Sequence, residues 1–297
     1  MTIKVIDAHH HIWRQRDLAW LSGPIEPRIF GDYTAIRRDY EIDEFIADVT
    51  PHGVTKSVYV QCNWPGDQGA DEAAYVHQAA EQSGWPMGFV GYADLLADDA
   101  RPALDRLAEF PLTRGIRMQL HWHEEPLYRY AARPDLMDDE RFRANLALLA
   151  DYGWSFDLQV FQSQMKDAAR LAADFPGLTF ILQHCGMPHD ASPAGHAAWR
   201  AGLVELAAQP NVVVKLSGLG TFINRNDVAH IAAVTRETVE LFGPDRCLYG
   251  SNFPIEKLWT SYGPLIDGFR AALADWSEAD QKKMFHDTAA RVYRLQD

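Results

Sequence analysis

Cysteine is scarce in this chain of 297 residues, with Cys62, Cys185 and Cys247 the three present. Three scattered thiols are too few for a disulfide framework or a thiolate zinc site, and they read as small buried apolar residues. Positive charge is also short. Lys and Arg total 28 against 41 Asp and Glu, a formal charge of −13, which is the wrong sign for a surface that gathers phosphates. Nucleic acid and anionic membrane are excluded as expected partners, leaving a small-molecule substrate. No run approaches the ~18 uninterrupted apolar residues of a membrane helix. The first residues lack the apolar core and small-residue cleavage site of a secretory signal, so the expectation is a cytoplasmic protein. No Gly-x-Gly-x-x-Gly follows a predicted strand, which removes the dinucleotide-binding fingerprint. Oligomeric state is not legible, because the helix faces carry no apolar excess beyond ordinary packing.

Core material is ample: 47% of residues are hydrophobic and 11% aromatic, which excludes disordered and fibrous classes. At ~150 residues per domain the length suits two domains or one large α/β barrel. Short β-rich apolar segments fall at 3–6, 57–61, 87–93, 115–120, 155–161, 179–184, 212–216 and 247–249. They alternate with helix-period stretches at 71–82, 102–110, 140–152, 165–175, 197–208 and 228–242. A last helix is expected from Glu278, with Ser277 as its cap, to Tyr293. Roughly 35 residues separate successive strands, close to one unit of a (β/α)8 barrel. A doubly wound sheet alternates in the same way, but eight repeats without the glycine fingerprint favour closure. The expected fold is therefore a single TIM-like (β/α)8 barrel over 1–297 with extended βα loops. The long irregular stretch 12–40 and the loops 63–70 and 121–138 fall where such barrels build active sites.

Four segments carry the chemistry. Asp7-Ala8-His9-His10-His11 ends the first strand; in extended chain His9 and His11 share a face while His10 points away. Two imidazoles on one face are half a site for a borderline ion such as zinc. His184 ends the sixth strand, and parity puts it on the face of Phe180 and Leu182, at the upper rim of the interior. In Gly115-Ile116-Arg117-Met118-Gln119-Leu120-His121 the apolar row packs on helices and leaves Arg117, Gln119 and His121 facing the mouth. There Arg117 can bind a carboxylate or polarise a carbonyl; the competing reading is a structural pair with Asp157. Lys215 and Ser217 follow the same parity in the seventh strand, where a Lys is costly unless paired or cleft-facing. Arg117, Lys215, His121 and His123, with Ser217 as a further substrate-binding candidate, make a mouth suited to an anionic or polyhydroxylated ring, and Trp13, Trp20 and Trp64 are candidates to stack on a sugar face.

These motifs resemble the amidohydrolase superfamily, in its branch of sugar-lactonase and pyrone-dicarboxylate-lactonase-like proteins. The matching elements are Asp7-Ala8-His9-His10-His11-Ile12-Trp13, Arg114-Gly115-Ile116-Arg117, Phe156-Asp157-Leu158, Gln183-His184-Cys185-Gly186, Lys215-Leu216-Ser217-Gly218 and Gly250-Ser251-Asn252-Phe253-Pro254. The resemblance implies a TIM-like barrel with His9, His11 and His184 at the catalytic centre. In metal-using relatives such histidines hold zinc or another divalent ion, whereas some lactonases of the branch hydrolyse without one, so both remain open. Two departures stand out. Asn252 replaces the Asp that serves relatives as metal ligand or base, and an amide cannot take up a proton. Met187 stands before Pro188 where many relatives carry Lys.

The resulting expectation is a hydrolase that opens the lactone ring of a small sugar-acid or dicarboxylate lactone. Arg117 or a metal stabilises the oxyanion, Asn252 orients a hydroxyl or carbonyl, and one of His184, His9 or His11 stands in for the missing base. Two alternatives follow from Asn252: a lactone isomerase using a hydroxyl of the substrate itself, and a catalytically silent ligand-binding barrel.

Overall fold

Short runs of Val, Ile, Leu and Phe form strands that are covered on both faces, as parallel strands must be. The computed structural model describes residues 3–66 and 68–296. Its strands are β1 (Val5–His10), β2 (Val54–Val60), β3 (Gly88–Gly91), β4 (Thr113–Ile116), β5 (Ser155–Leu158), β6 (Phe180–Leu182), β7 (Val212–Leu216) and β8 (Cys247–Tyr249). They pair in parallel in sequential order in one eight-stranded sheet. The sheet curls so that β8 meets β1. Beyond β8, the Asn252 amide donates to the His9 carbonyl at 2.7 Å, and the His11 amide donates to the Phe253 carbonyl at 2.7 Å. The expected (β/α)8 barrel is thus the observed one.

Two apolar layers follow from strand parity. Ile6, Ala8, Val58, Val60, Val90, Ile181, Val213 and Leu248 pack on one another inside the barrel. Outward-facing Phe89, Ile116, Phe156, Phe180, Leu182 and Val214 pack against the helices. These helices are α1 (Ala19–Ser22), α2 (Ile42–Val49), α3 (Gly69–Ser83), α4 (Arg101–Ala108), α5 (Glu140–Ala147), α6 (Met165–Asp174), α7 (Pro193–Ala207), α8 (Val228–Phe242) and α9 (Tyr262–Ala272). The expected last helix is divided into α10 (Glu278–Lys282), a π-helical turn (Lys283–Asp287) and α11 (Thr288–Val292). The Ser277 hydroxyl accepts from the Asp280 amide at 3.1 Å, capping its start as expected. From this segment and the residues after it, Ala289, Val292, Tyr293 and Leu295 join the inner layer. Among the described residues no helix is long and apolar enough to cross a membrane.

Expected and observed bounds agree for β7 and β8. β1 instead runs past residue 6 into the histidines, and its pairing with β2 is irregular between Asp7 and His10. Asp7 holds this segment: its carboxylate accepts from the His9 amide at 3.1 Å, the Ser251 amide at 2.9 Å and the Tyr262 hydroxyl at 3.0 Å. Desolvation nevertheless pushes its pKa up to about 6, these hydrogen bonds pulling the other way.

Candidate active site

Above the inner layer, at the C-terminal ends of the strands, lies a cavity of about 310 Å³. His11, Trp13, Trp20, Arg117, Gln119, His121, Gln159, His184, Thr221 and Asn252 are among its lining residues. The irregularity in β1 places His9 and His11 together, their rings 5.1 Å apart, centroid to centroid. The third imidazole comes from across the barrel, with the His184 ring 4.6 Å from that of His9. His10 faces outward, stacked on Phe45 of α2 at 3.8 Å.

His184 reaches the cavity by a route that strand parity does not describe. Phe180 and Leu182 face the helices, and simple alternation would send residue 184 with them. The backbone instead turns left-handed at His184, φ +53°, rotating the ring inward. Gly218, φ +62°, makes room: a Cβ there would stand 2.4 Å from His184 Nδ1. The expected shared face is therefore corrected, although the ring's position at the inner rim is as anticipated.

Hydrogen bonds fix these rings. His11 Nδ1 donates to the Val60 carbonyl at 2.7 Å, and His184 Nδ1 hydrogen-bonds Ser217 Oγ at 2.9 Å. Lys215 Nζ lies 3.5 Å from His9 Nδ1 and 2.7 Å from Asp157 Oδ2. Desolvation, with nearby Arg117 and Lys215, holds His9 and His184 well below the ordinary imidazole range and His11 at about 3. All three rings are neutral at physiological pH.

Arg117 is 4% exposed. Its guanidinium donates to the Gln61 carbonyl and, at 3.5 Å, to Gln159 Oε1, and among the described residues its Nε has no hydrogen-bond partner. The structural pair with Asp157 is not formed. Asp157 is engaged by Lys215, both side chains fully buried. Lys215 and Ser217, expected to contact substrate, lie beneath the cavity: the strand parity is as read, but they face the barrel interior one layer below its open space. Desolvation pulls Lys215 down to about 8 against the pull of Asp157.

The remaining candidates divide. His121 lines the cavity, stacked with Tyr130 at 5.4 Å; burial holds its pKa at about 3. Trp13 forms a buried wall and donates from Nε1 to the Arg38 carbonyl at 2.9 Å. His123 turns toward His189, Nε2 to Nε2 3.2 Å, and Trp64 packs on Tyr75 at 5.9 Å, so neither lines the cavity. Sequence reading missed Arg28, Arg129 and Tyr130, which line it from the loops, and Thr221. Their positions depend on loop conformation, for which no periodicity exists.

Asn252, φ +58°, donates from Nδ2 to Thr221 Oγ1 at 3.2 Å and its side chain also engages His11. For a metal ion the donor chemistry fits: the rings are neutral, the ligating form, and the buried His9 Nε2 has no hydrogen-bond partner among the described residues. Yet among the described residues no three His, Cys, Asp or Glu side chains stand in ligating geometry.

Comparison with known proteins places this geometry. Residues 6–295 match the amidohydrolase family. An uncharacterized protein, y4mH, of Sinorhizobium fredii is 35% identical over 99% of both chains. The L-fucono-1,5-lactonase of Burkholderia multivorans is 30% identical, covering 98% of this chain and 96% of its own. A crystal structure of an amidohydrolase from Burkholderia multivorans with bound zinc superimposes with TM-score 0.82 at 28% identity, over 99% of this chain and 100% of that one.

Proposed function

Because the chain belongs to the amidohydrolase family, we propose that it hydrolyses the ring ester of a small sugar-acid or dicarboxylate lactone. The carrying observation is the convergence of the neutral His11 and His184 rings with the buried Arg117 guanidinium on one cavity of about 310 Å³, with the His9 ring buried against both imidazoles. The relatives named L-fucono-1,5-lactonase support the ester as the reacting group. A ring that size fits the space, and the aromatic walls of Trp13 and Trp20 suit a sugar face.

In this reading the ring carbonyl lies over Arg117, whose fixed positive charge in a desolvated pocket opposes the oxyanion that forms when water attacks. Ser217 and Lys215 hold the His184 and His9 rings from below, so that His184 meets the substrate in one orientation with the His9 ring packed behind it. His121 and the loop residues Arg28 and Tyr130 close the mouth over the ring's hydroxyl or carboxylate substituents. A divalent ion such as zinc, where bound, would be held by His9, His11 and His184 and would supply Lewis-acid polarisation of the carbonyl.

Incubating the protein with a panel of aldonic and aldaric lactones and following products by NMR tests the proposal. Open-chain hydroxy acid is the expected product. Ring migration without acid release would identify an isomerase instead, and tight binding of one lactone without turnover a silent barrel. Elemental analysis of chelator-free protein, repeated on His184→Asn, reads the ion directly: bound metal in the first and none in the second assigns it to these rings.

A further inference from the structure

The cavity has an amide where hydrolysis calls for a proton acceptor, and a carboxyl lies one helical turn further on. Glu256 is fully buried, its amide bonded to the Asn252 carbonyl at 3.3 Å. Thr221 Oγ1 donates to Glu256 Oε1 at 3.1 Å, and Asn252 also hydrogen-bonds the Glu256 carboxyl. Among the described residues no hydrogen bond of good geometry reaches Glu256 Oε2. The space is made by Gly220, where a Cβ would sit 2.3 Å from Oε2. A buried carboxyl with an idle oxygen is costly to keep, and neither Lys nor Arg pairs with it among the described residues.

The polarity of this chain is fixed by its end. Thr221 has one hydroxyl proton, committed to Glu256, and two lone pairs, one of them taken by Asn252 Nδ2. The second lone pair remains for the cavity, which Thr221 lines. A water or substrate hydroxyl there meets an acceptor, and the acceptor leads to a carboxylate.

We propose that Glu256, acting through the Thr221 hydroxyl, receives the proton of the attacking water and so supplies the function that Asn252 cannot. The assignment rests on the lactonase reading of the site. The water oxygen bonds to the ring carbonyl carbon, whose π electrons move to the oxygen held by Arg117. One water proton passes to Thr221 Oγ1 as the threonine proton passes to Glu256 Oε1. The tetrahedral species then collapses, the bond from carbon to ring oxygen breaks, and the ring oxygen leaves with the proton returned along the same path. Only water is consumed.

Burial lifts the Glu256 pKa to about 7, the hydrogen bonds from Thr221, Gly220 and Asn252 pulling the other way, with Tyr249 the further titratable group facing it. That value suits an acceptor working near neutrality. Glu256 touches no substrate atom and is a positioning residue with a relay role.

Glu256→Gln, Thr221→Val and Thr221→Ser decide the matter on any lactone the wild type opens. Glu256→Gln and Thr221→Val are expected to lower kcat by on the order of 10²-fold or more, with KM changed by less than roughly threefold. Thr221→Ser, which restores the hydroxyl, recovers most of the rate and serves as the folding control. The double variant Glu256→Gln/Thr221→Val should be no slower than either single one, as members of one unit behave. Near-normal kcat in Glu256→Gln, or additive losses in the double variant, overturn the assignment while leaving the lactonase reading intact. A wild-type chain inert to the whole panel overturns both.

Discussion

Arg117 and Glu72 show how differently a buried charge is used in this barrel. Among the described residues no carboxylate forms an ion pair with Arg117, Asp157 acting on it only from beyond contact, so its charge is available to the reacting carbonyl. Arg117→Lys keeps the charge but loses the planar fork that spans Gln61 and Gln159. It should lower kcat/KM by about 10²- to 10³-fold, the usual effect of removing one oxyanion donor; steady-state kinetics showing less than a tenfold loss would place the oxyanion elsewhere. Glu72 is the opposite case. Its Oε1 accepts from the Tyr59 hydroxyl at 2.7 Å and the Cys62 amide at 2.8 Å, well away from solvent. Burial lifts its pKa from 4.5 to about 7, those hydrogen bonds opposing the rise. Between these values the folded chain keeps a proton that the unfolded chain has released. The stabilisation by the neutral carboxyl is therefore complete below about 4.5 and lost as pH rises through about 7. Glu72→Gln keeps an acceptor and cannot ionise. Its stability relative to wild type should improve steadily from pH 5 to pH 8, by up to about 3 kcal/mol in denaturant titrations. A difference independent of pH would mean that the carboxyl is ionised throughout.

Elements show which parts of the molecule could be read in advance. β7 and β8 were legible to the residue because β-branched and aromatic runs end sharply at Ser217-Gly218 and Gly250. The bounds of β1 were not, since the apolar run stops at Ile6 while the pairing continues to His10, where Asp7 ties the strand to Ser251 and Tyr262. α2 also escaped notice, although Ile42, Phe45 and Val49 bury one face of it with the spacing of an amphipathic helix. The convergence of His9, His11 and His184 could be anticipated from order along the barrel, but the inward turn of His184 could not, because alternation assumes φ stays negative. That turn depends on Gly218, which leads to a test. Gly218→Ala adds a left-handed alanine, ~1–2 kcal/mol, and a Cβ driven into the imidazole at 2.4 Å. Lactone turnover should fall much further than thermal stability does. Gly177→Ala, with nothing within 4 Å of the added Cβ, should change neither. If Gly218→Ala left turnover intact, the position of His184 would not matter to the chemistry.

At the scale of the whole barrel, the chemistry at the top rests on a plug at the bottom. The interior would be open at its lower end without the C-terminal segment, whose Ala289, Val292, Tyr293 and Leu295 pack against Ile6, Val58, Val213 and Leu248. Tyr293 is fully buried and reaches furthest in function, its ring 5.5 Å from Lys215 Nζ. Lys215 in turn pairs with Asp157 and stands 3.5 Å from His9 Nδ1, so one column of contacts runs from the last residues to the site. Tyr293→Ala removes a large ring from a closed cluster that cannot collapse, and such losses cost about 3–5 kcal/mol. For a chain of this length that corresponds to a fall in Tm of roughly 10 °C. It also strips the aromatic face from beneath a buried ion pair, whose disruption is itself strongly destabilising. Calorimetry should therefore show a single transition at lower temperature, and the folded variant should turn over lactone more slowly because His9 loses its fixed support. A Tm within about 2 °C of wild type would mean that the barrel's lower end is filled without Tyr293, and the column from plug to site would have no mechanical meaning.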